Sequence, residues 1–269
     1  MPFAENDGVK IYWEETGKGD PILLIMGLGW VSQMWHRTRD LLAKKYRVIT
    51  FDNRGVGRSD VPPGPYPIPT MAADAAAVLD AAGVKSAHLY GISMGGMIAQ
   101  EFTLQYPGRV KSLILGCTAA GGPTAIQPAP EVLQVLMRRG MKPEEAIDAI
   151  DPFIYDPGTS PESMAEDRKL RLEWYPTVDG YLNQLQGIMA WEAHSRLPQI
   201  AAPTLVIHGE SDQLIPAANG KLVAERIPRA KLVVIPRASH IFPTDQPKPA
   251  DEAVVNFLAA QNLSGRIIR

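Results

Sequence analysis

The stretch Tyr90-Gly91-Ile92-Ser93-Met94-Gly95-Gly96 constrains this chain more than any other. The apolar run Ala87-His88-Leu89-Tyr90 leads into it, and a helical pattern from Met97 to Leu104 leads out. The reading is strand, sharp turn, helix, with a serine at the apex of a G-x-S-x-G motif. Gly91 and Gly95 flank Ser93 at positions where a side chain would collide as strand and helix pass close together. A turn this tight strains the serine backbone and holds its hydroxyl away from the sheet. The same residues also fit a Gly-rich turn whose serine merely caps a helix. Partners elsewhere in the chain decide between the two readings.

Around this turn the chain alternates between strand and helix patterns. Val9 to Glu14 alternates like an exposed edge strand, and Pro21 to Met26 is a continuous apolar run, as expected of a strand buried on both faces. A helix-like stretch from Ser32 to Lys45 precedes the strand Tyr46 to Asp52, which runs into the polar turn Asn53 to Ser59. An Ala-rich helix from Met71 to Ala82 ends at Gly83, and a strand from Val110 to Leu115 follows the serine turn and its helix. From Thr118 the texture changes. Helical patterns near Glu131 to Arg139, Pro143 to Ile150, Ser160 to Glu173 and Val178 to Ala193 are separated by prolines and glycines, with no buried strand between them. Alternation resumes with a strand at Pro203 to Gly209, a helix at Ala217 to Arg226, a strand at Lys231 to Ile235 and a helix at Asp251 to Ala260. The expected class is α/β, a mostly parallel sheet with helices on both faces. Residues 1–117 and 198–269 form the core, and 118–197 form an inserted helical cap over the carboxyl edge of the sheet, where open α/β sheets bind ligands.

Composition narrows the function classes. With 269 residues, 45% of them hydrophobic and 21% charged, the chain is sized for one large domain with a full core. A net charge of -2 leaves no electrostatic footprint for nucleic acid. Cys117, the single cysteine, has no disulfide partner and reads as a buried, inert thiol. The N-terminal residues show no secretion signal, and no apolar stretch is long enough to span a membrane. The expectation is a cytoplasmic protein without a membrane partner. No His, Asp, Glu or Cys cluster has metal-ligand spacing, so neither a metal nor another cofactor is expected.

A serine hydroxyl is a weak nucleophile and needs an adjacent base. Of five histidines, His36, His88, His194 and His208 are explained as packing or surface residues. His240 lies in the loop Arg237 to Pro243, between the last strand, read as buried, and the last helix, where a mobile imidazole can face the serine turn. The imidazole in turn needs an acid to fix its tautomer. Asp212, in Gly209-Glu210-Ser211-Asp212, reaches past the end of a buried strand; Glu210 is the competing carboxylate.

Serine, then acid, then histidine is the chain order of the α/β-hydrolases. The chain resembles that superfamily over essentially its whole length outside the insert. The shared pieces are the segment after Pro21 to Met26, the turn Asp52 to Ser59, the serine turn, Gly209 to Asp212, and Ser239-His240. Within the superfamily, Gly91 to Gln100 looks most like esterases and oxoadipate enol-lactone hydrolases. The resemblance implies Ser93 as nucleophile, Asp212 as acid and His240 as base. It also implies an oxyanion hole made by the backbone N–H groups of Leu28 and Met94. Relatives usually carry His-Gly where this chain has Met26-Gly27, but main-chain donors do not require that histidine. The implied activity is hydrolysis of carboxylic esters or lactones, small and largely apolar, through an acyl-enzyme on Ser93. The resemblance also admits carbon–carbon bond hydrolysis, haloperoxidase-like perhydrolysis, and a low-turnover small-molecule receptor on the same fold. Halide displacement is disfavoured, since those relatives place aspartate at the apex.

Trp30, Leu214 and Ile241 neighbour these groups in sequence and are expected to line an apolar pocket, together with Leu28 and Met94. In the insert, Trp174, Tyr175, Tyr181, Met189 and Trp191 either cover that pocket or form the insert's own core. Arg138, Arg139, Arg168, Arg171 and Arg196 are candidates for binding a substrate carboxylate, and equally ordinary surface arginines.

Overall fold

Ile22, Leu23, Leu24 and Ile25 are all sealed from solvent, although successive side chains of a strand point to opposite faces. Both faces of the sheet must therefore be covered. The structure, a computed structural model, describes residues 2–137 and 140–264. Its strands are β1 (Phe3–Asn6), β2 (Val9–Thr16), β3 (Asp20–Ile25), β4 (Tyr46–Phe51), β5 (Ala87–Ile92), β6 (Val110–Gly116), β7 (Thr204–Gly209) and β8 (Lys231–Ile235). They form one sheet in the order β1-β2-β4-β3-β5-β6-β7-β8. The two pairings that involve β2 are antiparallel and the remaining five are parallel.

Among the described residues, ten α-helices surround this sheet: α1 (His36–Leu42), α2 (Ile68–Ala81), α3 (Met94–Gln105), α4 (Pro130–Leu136), α5 (Pro143–Ile154), α6 (Pro161–Glu173), α7 (Val178–Met189), α8 (Ala218–Arg226), α9 (Phe242–Asp245) and α10 (Pro247–Ser264). One core layer joins Leu23 and Ile25 to Met71 and Leu79 of α2, Ile98 and Phe102 of α3, and Val223 of α8. The opposite layer joins Ile22 and Leu24 to Leu42 of α1 and to Val254 and Leu258 of α10. Helices cover both faces, as the α/β pattern requires. Between β6 and β7 the described residues contribute α4 to α7 and no strand of the sheet.

Three sequence expectations change. The edge next to β2 is occupied by β1, whose four residues were not assigned, so β2 is an interior strand. β8 is the opposite edge and is largely exposed, with Leu232 and Val234 facing solvent, so the loop carrying His240 does not follow a buried strand. The last helix begins at Pro247 rather than Asp251, and the short α9 sits within the preceding loop.

The turn after β4 is tied down by charge. Arg54 makes two 2.6 Å hydrogen bonds to the Asp74 carboxylate of α2, and Asn6 of β1 adds a third at 2.8 Å. Arg54 and Asp74 are buried, so removing one partner strands the other charge away from water. Asp74→Ala is expected to cost about 3–5 kcal/mol of stability in urea unfolding; a loss below about 1 kcal/mol contradicts this role.

Candidate active site

Glycine makes the apex possible. A Cβ on Gly91 would lie 2.1 Å from the Gly95 carbonyl oxygen, and one on Gly95 would lie 2.0 Å from that of Ile25. No real side chain tolerates such distances, so only glycine lets β5 run into α3 beside β3. Ser93, between them, holds φ 55° and ψ -124°, a conformation costly for any residue with a Cβ. Surrounding bonds hold it there. The Ser93 N–H donates to the Gly116 carbonyl at 2.9 Å, and its carbonyl accepts the Thr118 hydroxyl at 2.7 Å.

Asp212 follows β7 and is buried, whereas Glu210 is exposed. The His240 Nδ1 lies 2.8 Å from Asp212 Oδ2. The structure thus brings Asp212, and not the competing Glu210, to the histidine. Asp212 Oδ1 accepts the backbone N–H groups of Leu214 and Ile215, each at 2.9 Å. Burial alone would raise the Asp212 carboxyl, but the neighbouring His240, with hydrogen bonds from His208 and His240, holds it down to about 2. The net direction is the one expected of a carboxylate with several donors around it. The loop carrying His240 is fixed by Asp245, whose Oδ2 accepts the Ser239 N–H at 2.6 Å.

Ser93 and His240 border the same cavity, of about 600 Å³. No hydrogen bond joins the Ser93 hydroxyl to a described residue; such contacts often tighten only once a substrate is bound. Met94, the first residue of α3, turns its N–H to the open end of the helix, where no intrahelical acceptor exists. Gly27 packs so closely on Ser93 that its Cβ would lie 3.0 Å from the Ser93 Cβ, which places Leu28 next to the serine. The Leu28 N–H has no acceptor among the described residues. The Met26 side chain is buried. What braces this loop acts on its main chain. Asn53 Nδ2 donates to the Met26 carbonyl at 2.9 Å, and the Gly29 N–H donates to Gln184 Oε1 at 2.8 Å.

The cavity wall is mostly apolar. Leu28, Trp30, Met94, Leu214 and Ile241 line it, and so do Trp174, Tyr175, Tyr181 and Met189 from the α6–α7 segment. Met189 is 69% exposed and stands at the cavity's outer margin. Trp191 does not belong to this wall. It is buried in the main core, where its Nε1 donates to Glu101 Oε2 at 2.8 Å. An indole with a buried acceptor satisfies both its apolar area and its N–H there.

Of the arginines, only Arg171 is among the described lining residues. Its Nη1 lies 2.6 Å from Asp151 Oδ1, and its guanidinium stacks 5.2 Å from the Trp30 ring centre. Arg168 pairs with Asp148 and Arg196 with Glu101. Arg138 and Arg139 lie outside the described residues. Cys117 is buried, and burial pushes its thiol well above the ordinary range, consistent with an inert group. No helix among the described residues is long and apolar enough to cross a membrane.

Sequence reasoning missed Asn53, Gln184 and His208. Gln184 held a faint signal, since it shares a face of α7 with Gly180 and Gly187, four residues after one and three before the other. His208 had another, standing directly before Gly209 and four residues before Asp212.

The low Asp212 value carries a stability consequence. Its ordinary value of 3.8 falls to about 2 on folding, so its contribution is present above about pH 4 and lost as pH falls through about 2. Between about pH 6 and about pH 3, the wild type is expected to lose about 1 kcal/mol more than Asp212→Asn in urea unfolding. Equal losses would contradict a carboxyl held low by its surroundings.

Comparison with known proteins places these features in context. The family model described as the alpha/beta hydrolase fold matches residues 20–154 and 159–247. A RutD protein of Azorhizobium caulinodans, provisionally classed as a carbamate hydrolase, is 34% identical over 96% of this chain and 98% of its own. A poly(3-hydroxyalkanoate) depolymerase of Ectopseudomonas oleovorans is 35% identical over 88% of this chain and 84% of its own. The crystal structure of an enol-lactonase from Burkholderia xenovorans superposes with a TM-score of 0.85 at 27% identity, covering 96% of this chain and all of that one.

Proposed function

Because the chain belongs to the α/β-hydrolase family, we propose that it is a serine hydrolase of neutral, largely apolar carboxylic esters or lactones. The observation that carries this reading is the 2.8 Å contact between His240 Nδ1 and Asp212, with His240 and the strained Ser93 in the wall of one apolar cavity. With Nδ1 bound to the acid, His240 Nε2 is the ring nitrogen left to take the Ser93 proton as Oγ attacks the carbonyl carbon. The oxyanion that forms accepts hydrogen bonds from the Leu28 and Met94 N–H groups, worth about 3 kcal/mol each. The proton on Nε2 passes to the leaving alkoxide as the carbon–oxygen bond breaks, leaving an ester on Ser93. Water, deprotonated by the same nitrogen, attacks that ester, and the proton on Nε2 passes to Ser93 Oγ as its bond to the acyl carbon breaks, releasing the acid.

The cavity bears on the substrate in two ways. At about 600 Å³ it holds more than the smallest acyl groups, within the usual range for ligand sites of this kind. Its one described lining cation, Arg171, is already bound to Asp151, so a carboxylate at the far end of an acyl chain finds no free positive charge among the described residues. This favours neutral acyl chains over ones that carry a carboxylate. Carbamates are a second reading, supported by the 34% identity to the Azorhizobium caulinodans protein; the same attack and proton transfer serve a carbamoyl carbon. Helices α4 to α7 would act as the cap that selects among these substrates.

A series of straight-chain p-nitrophenyl esters tests this. Each added methylene is expected to raise kcat/KM about three- to fourfold until the cavity is filled. A chain of equal length ending in a carboxylate is expected to fall well below its neutral counterpart. Ser93→Ala should lose at least about a thousandfold in kcat, and Asp212→Asn a comparable amount through the wrong imidazole tautomer. Full activity in Ser93→Ala would remove the serine from the mechanism.

A further inference from the structure

Asp212 receives a second imidazole, and we infer that His208 is a positioning residue that locks the acid in place for His240. This rests on the proposed roles of Ser93, Asp212 and His240. His208 is the penultimate residue of β7 and is fully buried. Its Nε2 lies 2.8 Å from the Ile215 carbonyl oxygen and 3.1 Å from Asp212 Oδ2. A carbonyl oxygen only accepts, so the hydrogen sits on Nε2 and is shared between the two oxygens. The Nδ1 atom is buried with no partner among the described residues. Helix α8 closes over it: a Cβ on Gly220 would lie 2.6 Å from Nδ1. A hydrogen on that side would have no acceptor, so the surroundings select one tautomer of the ring.

The consequence falls on the carboxylate. Oδ1 takes the N–H groups of Leu214 and Ile215, and Oδ2 takes Nδ1 of His240 and Nε2 of His208. Each oxygen accepts two donors, so both lone pairs are used and Asp212 cannot rotate without breaking two bonds at once. The titratable groups around it are His240, His208 and the Cys117 thiol. Of these, His208 draws on the same oxygen that faces His240. It therefore sets both the aim of the acid and the share of its charge that reaches the base.

The test compares His208→Leu, which removes the donor, with His208→Gln, whose amide keeps an N–H at similar reach. His208→Leu is expected to lower kcat about tenfold or more with little change in KM. It is also expected to move the acid limb of the kcat/KM profile up by about half a pH unit, because Asp212 then spends its charge on His240 alone. His208→Gln should recover most of the rate and the wild-type limb. An unmoved acid limb in His208→Leu overturns the inference, as does a loss in His208→Gln equal to that in His208→Leu. Ser93→Ala in the same assay separates two failures, since activity surviving there overturns the serine mechanism and not the role of His208 alone. If neither variant folds, imidazole NMR of the wild-type protein decides. An Nε2-bound hydrogen on His208 is expected, and a hydrogen on Nδ1 overturns the inference.

Discussion

The near-contact of Gly91 with Gly95, and of Gly95 with Ile25, is the constraint on which the rest of the site depends. It brings the start of α3 against β3 and β5 at backbone distance, which a single methyl group at either position would prevent. Ser93 is thereby forced to a positive φ, a strain of about 1–3 kcal/mol that the close-packed sheet offsets. The same crossing sets the open N-terminus of α3 beside the loop after β3, so the serine and both proposed oxyanion donors come from one packing event. Asp212 and His240 then have only to reach this point from the ends of β7 and β8, on the same carboxyl edge of the sheet.

The walls of the cavity are tied to this centre. Helix α7 docks through Gly180, Gln184 and Gly187. A Cβ on Gly180 would lie 1.9 Å from the Gly55 carbonyl oxygen, and one on Gly187 the same distance from that of Tyr66. Between them, the Gln184 amide donates to the Arg54 carbonyl at 2.8 Å while accepting the Gly29 N–H. Farther along, Asp167 of α6 is bound by Arg37, Tyr155 and Thr244. The Ile241 N–H donates to the Ile154 carbonyl at 3.0 Å, and Thr159 bonds Asp245 at 2.5 Å. The residues that shape the pocket are thus hydrogen-bonded to the loops that carry His240 and Leu28. Those bonds give a substitution in these helices a direct route to the proposed reacting groups.

What the sequence made legible is what local pattern determines. Buried strands such as Pro21 to Met26, the glycines around Ser93 and the order of Asp212 and His240 all carry short-range signals, and the fold class followed from them. The strand β1 was not legible, because four residues gain their structure only by pairing with β2 and, through Asn6, with Asp74. For Trp191 the sequence leaves open the pocket and the insert's own core, because its actual partner, Glu101, is 90 residues away. Gln184 and Gly29 are separated by 155 residues, beyond the reach of any helical or strand period. His208 was passed over for a different reason. A buried histidine at a strand end reads as packing until the acid four residues on is seen to share its hydrogen.

The proposed mechanism requires a covalent intermediate on Ser93 in this apolar cavity. Its most direct measurement is intact-mass and peptide mapping after exposure to a medium-chain alkyl fluorophosphonate, an electrophile that captures activated serines. A single adduct per chain on Ser93 is expected, formed far more slowly when Asp212 is replaced by Asn. An adduct on another residue, or none at all on the folded protein, contradicts it.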